Sequence, residues 1–211
     1  MGNRAVITTE KREVALYLHW NGGRDSVEAF LTYCRLRGFR APDQDPYGWA
    51  RLAQVIANYM GADGLSVGIS PYTTDDAEMP GDNGIYVIRG WEIQDRILAY
   101  PDYEEEDVYD LDDMLLDIDR SQPEHQQLGD EFLLAAEIPP SELEVDDYVW
   151  RLGLNGRYAL CRVMGFGEPG RVVNGHDISG VPYTNMYGSE PYADNVNNYL
   201  FDETVRCRGR F

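Results

Sequence analysis

The sequence predicts an α+β protein: a mixed or antiparallel sheet with two to three helices, followed by a small β-barrel-type domain. Three observations carry this expectation. Apolar residues recur with helical spacing in three stretches. Short runs of β-branched and aromatic residues recur elsewhere, bounded by glycine, proline or asparagine. The helical stretches precede Ile138-Pro139-Pro140, and short strand patterns dominate after it. A chain of 211 residues suits a main domain and a smaller one, and the expected division is 1–137 and 138–211.

Residues 4–9 and 14–20 read as strands, with Glu10-Lys11-Arg12 as a hairpin loop. A helix over 27–37 follows, its Val27, Phe30, Leu31 and Cys34 spaced i, i+3, i+4, i+7. Asp25 or Ser26 is the expected cap and Gly38 the C′ residue. Asp45-Pro46 opens a second helix, a capping residue ahead of a proline in the first turn. Trp49, Leu52, Ala53, Ile56, Tyr59 and Met60 form its inner face, and Gly61 follows it. Residues 65–69 read as a strand and 70–84 as a loop long enough to suggest function or mobility. Residues 85–100 read as two strands, or one bent at Gly90. A helix over 109–120 turns Leu111, Met114, Leu115 and Ile118 inward, and 124–136 reads as a poorer helix broken by Gly129.

Beyond the prolines, strand candidates at Val145, 148–150, 158–164, Val172-Val173 and 183–187 are separated by turns such as Asn155-Gly156 and Asn174-Gly175. That spacing suggests a small barrel. Residues 142–149 resemble the first strand of SH3-like or KOW-like barrels, where an acidic pair precedes the strand. Asp146 stands where those barrels carry glycine.

Charge bounds the function. The net charge is −19. Residues 75–131 hold 19 acidic and 3 basic residues, net −16, whereas 1–74 are net +1. Direct nucleic-acid or anionic-membrane binding needs a basic surface and is not expected; a basic partner is compatible. Cys34, Cys161 and Cys207 give no disulfide framework, and Cys34 falls on an apolar helix face. His19, His125 and His176 lack zinc-ligand spacing. Residues 194–198 begin like a calcium loop but lack its glycine and its final glutamate. No Gly-x-Ser-x-Gly elbow is present, and Gly2 offers no N-terminal nucleophile. No catalytic set, metal or cofactor is expected. The opening is not a signal peptide and no apolar run approaches 18 residues, so a cytoplasmic location is expected.

Two stretches are candidate sites. In the acidic segment, Asp102, Glu104, Glu105, Glu106 and Asp107 lead into the helix over 109–120. There Asp110, Asp113 and Asp117 share one flank of the apolar stripe, and Asp112 and Asp119 the other. Helical neighbours at i+3 and i+4 lie about 5–6 Å apart, near the spacing of phosphates along nucleic acid, so the helix could imitate a nucleic-acid backbone. A solvated acidic face is the competing reading. The second stretch is His19, Asn21, Gly22, Gly23, Arg24 and Asp25, where a strand turns into a helix. Glycines there would let backbone approach a small anionic ligand at the helix N-terminus. In the competing reading the glycines only make the turn, Asp25 caps and Arg24 pairs with an acid. Either a binding protein or an enzyme could use it.

Residues 1–8 and 17–30, with 47–52, Val173-Asn174-Gly175 and 180–183, resemble a family of proteins encoded by bacteriophages and bacterial mobile elements. The resemblance implies an accessory product acting inside a bacterial host cell and carries over no residue roles. By analogy with acidic accessory proteins of phages, the leading expectation is a non-enzymatic factor. It would bind and inhibit a basic host protein, such as a defence nuclease, with the acidic segment as its surface.

Overall fold

The computed structural model describes residues 3–61, 66–73, 82–98, 110–153, 157–185, 196–201 and 204–209. The chain divides into two compact units, Met1–Gly129 and Asp130–Phe211.

In the first unit, β1 (Ala5–Thr9) and β2 (Val14–Leu18) form the expected hairpin. Then come α1 (Arg24–Leu36), α2 (Pro46–Met60), β3 (Val67–Pro71), β4 (Ile85–Arg89), β5 (Glu92–Ile97) and α3 (Leu111–Ser121). The sheet order is β3-β2-β1-β4-β5. The β1–β4 pair is parallel and the other pairs antiparallel, so the sheet is mixed. Ile7 lies opposite Leu16 on one side and Tyr86 on the other. Alternation then puts Ala5, Ile7, Leu16, Leu18, Tyr86 and Ile88 on one face, and all are buried. The helix α1 packs on β5 and α2 on β3, and the three helices pack on one another.

Local chemistry explains most boundaries. Asp45 accepts a hydrogen bond from the Tyr47 amide at 2.9 Å and Pro46 opens α2, as the sequence predicts. Gly61 ends that helix at φ +78°. Gly90, at φ +60°, forms with Trp91 the turn between β4 and β5. The helix α1 starts three residues before the predicted Val27, and its N-cap is Gly23, with no side-chain capping bond. Val27, Phe30, Leu31 and Cys34 are buried as their spacing predicts. The Phe30 ring meets Tyr59 edge-on at 5.4 Å.

The poorer helix expected over 124–136 is instead a 3-10 turn, Glu124–Gln126, and a one-turn helix α4 (Asp130–Leu133) that opens the second unit. Among the described residues there are four α-helices, three in the first unit and α4 in the second. After α4 come β6 (Ala136–Ile138), β7 (Tyr148–Leu152), β8 (Tyr158–Phe166), β9 (Val172–Val173), β10 (His176–Asp177), β11 (Pro182–Thr184) and β12 (Val205–Gly209). Five of these form an antiparallel sheet of order β11-β8-β7-β12-β6 over Leu143, Val149, Cys161, Val163, Leu200 and Val205. The strands β9 and β10 form a separate hairpin, with Asn174 and Gly175 both at positive φ as a tight two-residue turn requires.

Two expectations are corrected here. Among the described residues the barrel is not closed: the outer strands β11 and β6, three residues each, do not pair with one another, and closure requires that pairing. The division falls at 129/130 rather than 137/138. Arg206 on β12 supplies the reason, donating to the carbonyls of Phe132 and Leu133 at 3.0 and 2.6 Å and lying over the Phe132 ring at 5.0 Å. Residues 130–137 therefore belong to the second unit, and β6 within it to the second sheet. Asp146 takes φ +75°, the left-handed conformation that glycine adopts without strain. Among the described residues no helix is long and apolar enough to cross a membrane.

Candidate functional site

The strand-to-helix turn is occupied by internal contacts. Neither Gly22 nor Gly23 has a left-handed backbone; the residue at positive φ is Asn21, at +53°. Gly22 is required by proximity. A Cβ there would lie 2.7 Å from the Ala5 nitrogen and Cβ, and its own amide donates to the Asn3 carbonyl at 2.9 Å. Its carbonyl accepts from the Tyr86 hydroxyl at 3.0 Å. Arg24 pairs with Glu28 at 2.7 Å, as the structural reading of this turn predicts. Asp25 does not cap from outside: its Oδ1 accepts from the adjacent Ser26 amide, which puts a carboxylate at the helix start. A negative charge there opposes an incoming anion. His19 stands apart on the strand side, its Nδ1 3.0 Å from the Tyr17 hydroxyl and its ring edge-on to half-exposed Trp20.

In α3 the carboxylates divide into three kinds. Asp110 is the N-cap, its Oδ1 accepting from the Asp112 and Asp113 amides at 3.0 and 3.2 Å. Asp112, Asp113 and Asp117 are exposed on the helix that buries Met114, Leu115 and Ile118. Asp117 has a weak surface partner, Arg120 at 3.7 Å. Asp112 and Asp113 sit in the first turn, where the helix dipole favours a negative charge, and neither makes an ion pair among the described residues.

Asp119 does not face water with Asp112, as the flank assignment expects. It is 1% exposed. Its Oδ1 accepts from the Tyr33 hydroxyl at 2.6 Å and the Leu128 amide at 2.7 Å, and its Oδ2 from the Gly129 amide at 2.9 Å. Burial, and then this carboxylate, push the Tyr33 phenol well above its ordinary value. The chain after α3 is tied in the same way: the Gln122 amide group donates to the Val55 and Ile118 carbonyls and accepts from Asn58. Asp102, Glu104, Glu105, Glu106 and Asp107 lie outside the described residues.

The exposed flank of α3 offers the carboxylates of Asp112, Asp113 and Asp117. Among the described residues no three His, Cys, Asp or Glu side chains are placed to hold a metal. The flank's chemistry is charge presentation. Sequence reasoning passed over a second polar cluster, Arg37 and Arg51 around Phe39. No local pattern marks it, because the two arginines come from different elements. Comparison of the chain with models of protein families, with curated proteins and with solved structures gives no match.

Proposed function

We propose that the chain is a non-enzymatic, acidic interaction protein that binds and inhibits a host protein with a basic surface, such as a defence nuclease, inside a bacterial cell. The observation that carries the reading is the concentration of charge, net −16 within residues 75–131, together with a helix in that segment whose Asp112, Asp113 and Asp117 face solvent. A protein needing only solubility can spread its charge, whereas packed like charges oppose folding. A basic groove that receives nucleic acid would gain several charge contacts from this flank, and encounter would be steered at low ionic strength. The turn at 19–25 is the weaker alternative, since its glycines and its arginine already have internal roles.

The test is affinity capture from bacterial lysate at about 0.05 M and about 0.5 M salt, a range that shortens the reach of exposed charges. The unaltered chain should retain a basic host protein at low salt and inhibit its activity on nucleic acid. Asp112→Lys/Asp113→Lys/Asp117→Lys should lose both effects. Asp110 is excluded from the variant because it caps the helix. Equal retention by both chains, or retention that ignores salt, would overturn the reading.

A further inference from the structure

The chain has 37 acidic residues against 18 basic ones, so a basic side chain without a carboxylate partner is the unexpected state. Arg4, Arg24, Arg40, Arg89, Arg162 and Arg208 each pair with an acid. Arg35, Arg37 and Arg51 make no ion pair among the described residues. Two of them converge: the Arg37 and Arg51 guanidinium carbons each lie 5.4 Å from the centre of the Phe39 ring. The backbone that carries the ring is tied down, since the Phe39 carbonyl accepts from Trp91 Nε1 at 2.7 Å. Tyr47, 71% exposed, stands one turn before Arg51 on the same face of α2.

A helix dipole accounts for part of this. Arg35 lies in the last turn of α1 and Arg37 is its C-cap, where cations are favoured. It does not account for Arg51, which lies in the second turn of α2, far from the C-terminal end that favours cations. Arg51 is steadied by Gln54 at 3.0 Å and by the Phe39 ring. Guanidinium groups over a ring can present their N–H edges outward, where they match carboxylates two bonds at a time, and Arg51 uses one N–H on Gln54 and keeps its others. Arginine and tyrosine beside a half-buried aromatic ring is also the composition of binding hot spots.

We propose that Arg37, Phe39, Tyr47 and Arg51 form a docking surface for a short acidic segment of a protein partner. The charge of the whole chain selects this occupant over nucleic acid. A long polyanion meets the field of a chain of net charge −19 along its whole length, while a few carboxylates held at the arginines act only within about 8 Å at physiological salt. This surface has the opposite polarity to the α3 flank and stands or falls independently of it.

The experiment is fluorescence anisotropy with a labelled hexaglutamate peptide and, separately, a labelled oligothymidylate. The full chain should bind the peptide and not the oligonucleotide, with affinity falling as salt rises. Arg37→Gln/Arg51→Gln should weaken peptide binding at least ~10-fold, the loss of about 1.4 kcal/mol. Arg37→Lys/Arg51→Lys should recover part of it, and Arg24→Gln/Arg89→Gln, which removes two paired arginines, should leave it unchanged. Circular dichroism melts establish that each variant is folded. No peptide binding by the unaltered chain, equal binding of the oligonucleotide, or equal loss in the Arg24/Arg89 variant would overturn the proposal.

Discussion

The turn at 20–26 and the helix α3 both attract attention in the sequence, and the structure uses their polar groups differently. At the turn, the Gly22 amide and carbonyl, the Arg24 guanidinium and an Asp25 carboxylate oxygen all have partners within the first unit. In α3 the division runs along one helix. Asp119 is buried against Tyr33 and two backbone amides, whereas Asp112 and Asp113, two turns earlier, face solvent. The same residue type, two turns apart, is a structural anchor at one end and a surface charge at the other. A pattern of polar residues therefore marks a candidate site only where the fold has given those residues nothing else to do.

The largest test of that contrast is on α3 itself. Asp119→Ala leaves one buried donor, the Tyr33 hydroxyl, and two part-buried amides without their acceptor and should cost about 3 kcal/mol, read as a lowered urea midpoint. Asp113→Ala should leave the midpoint near that of the unaltered chain; equal losses would abolish the distinction. At the turn, Gly22→Ala should cost roughly 1–3 kcal/mol, because the added methyl meets the backbone of β1 and overpacking is costly. Gly23→Ala should cost less, since the nearest atom is the movable Asp25 carboxylate. If Gly23 is the more sensitive, its role is not the one assigned here. Asp110→Ala should cost about 1 kcal/mol through loss of the cap, measurable as reduced helical signal in thermal melts.

The smallest effect is pH-dependent. Burial pushes the Cys34 thiol well above its ordinary value, so the folded chain keeps this proton where the unfolded chain, at about 8.5, releases it. Stability from Cys34 is then complete below about pH 8.5 and declines above it as the unfolded state deprotonates. Urea midpoints measured from pH 7.5 to 10 should fall, and fall less steeply in Cys34→Val. Identical slopes would remove Cys34 from the account.

Much of the first unit is legible because its signals are local. The spacing of Val27, Phe30, Leu31 and Cys34, the Asp45-Pro46 start and the Gly90 turn each act within a few residues. The failures involve partners distant in sequence. Asp119 looks solvent-facing on a helical wheel, and only the return of Leu128 and Gly129 and the approach of Tyr33 bury it. Gly22 looks like a flexible turn residue, yet it is needed for its closeness to Ala5. The barrel expectation rested on strand spacing, which counts strands but does not say whether the first and last meet. The Arg37–Phe39–Arg51 cluster joins the end of one helix to the middle of another, so no sequence window contains it.

The parallel pairing of β1 with β4 has a consequence in time. Residues 6–9 leave the ribosome 79 residues ahead of their partners at 85–88, and at ~5–20 residues per second that interval lasts several seconds. Until then the hairpin of β1 and β2 carries an open backbone edge at what becomes the middle of the sheet, and such an edge can pair with another nascent chain. The exposure of this inner edge is therefore confined to the period of the chain's own synthesis and ends once residues 85–88 have emerged and paired, whereas β3 and β5 remain the outer edges of the finished sheet.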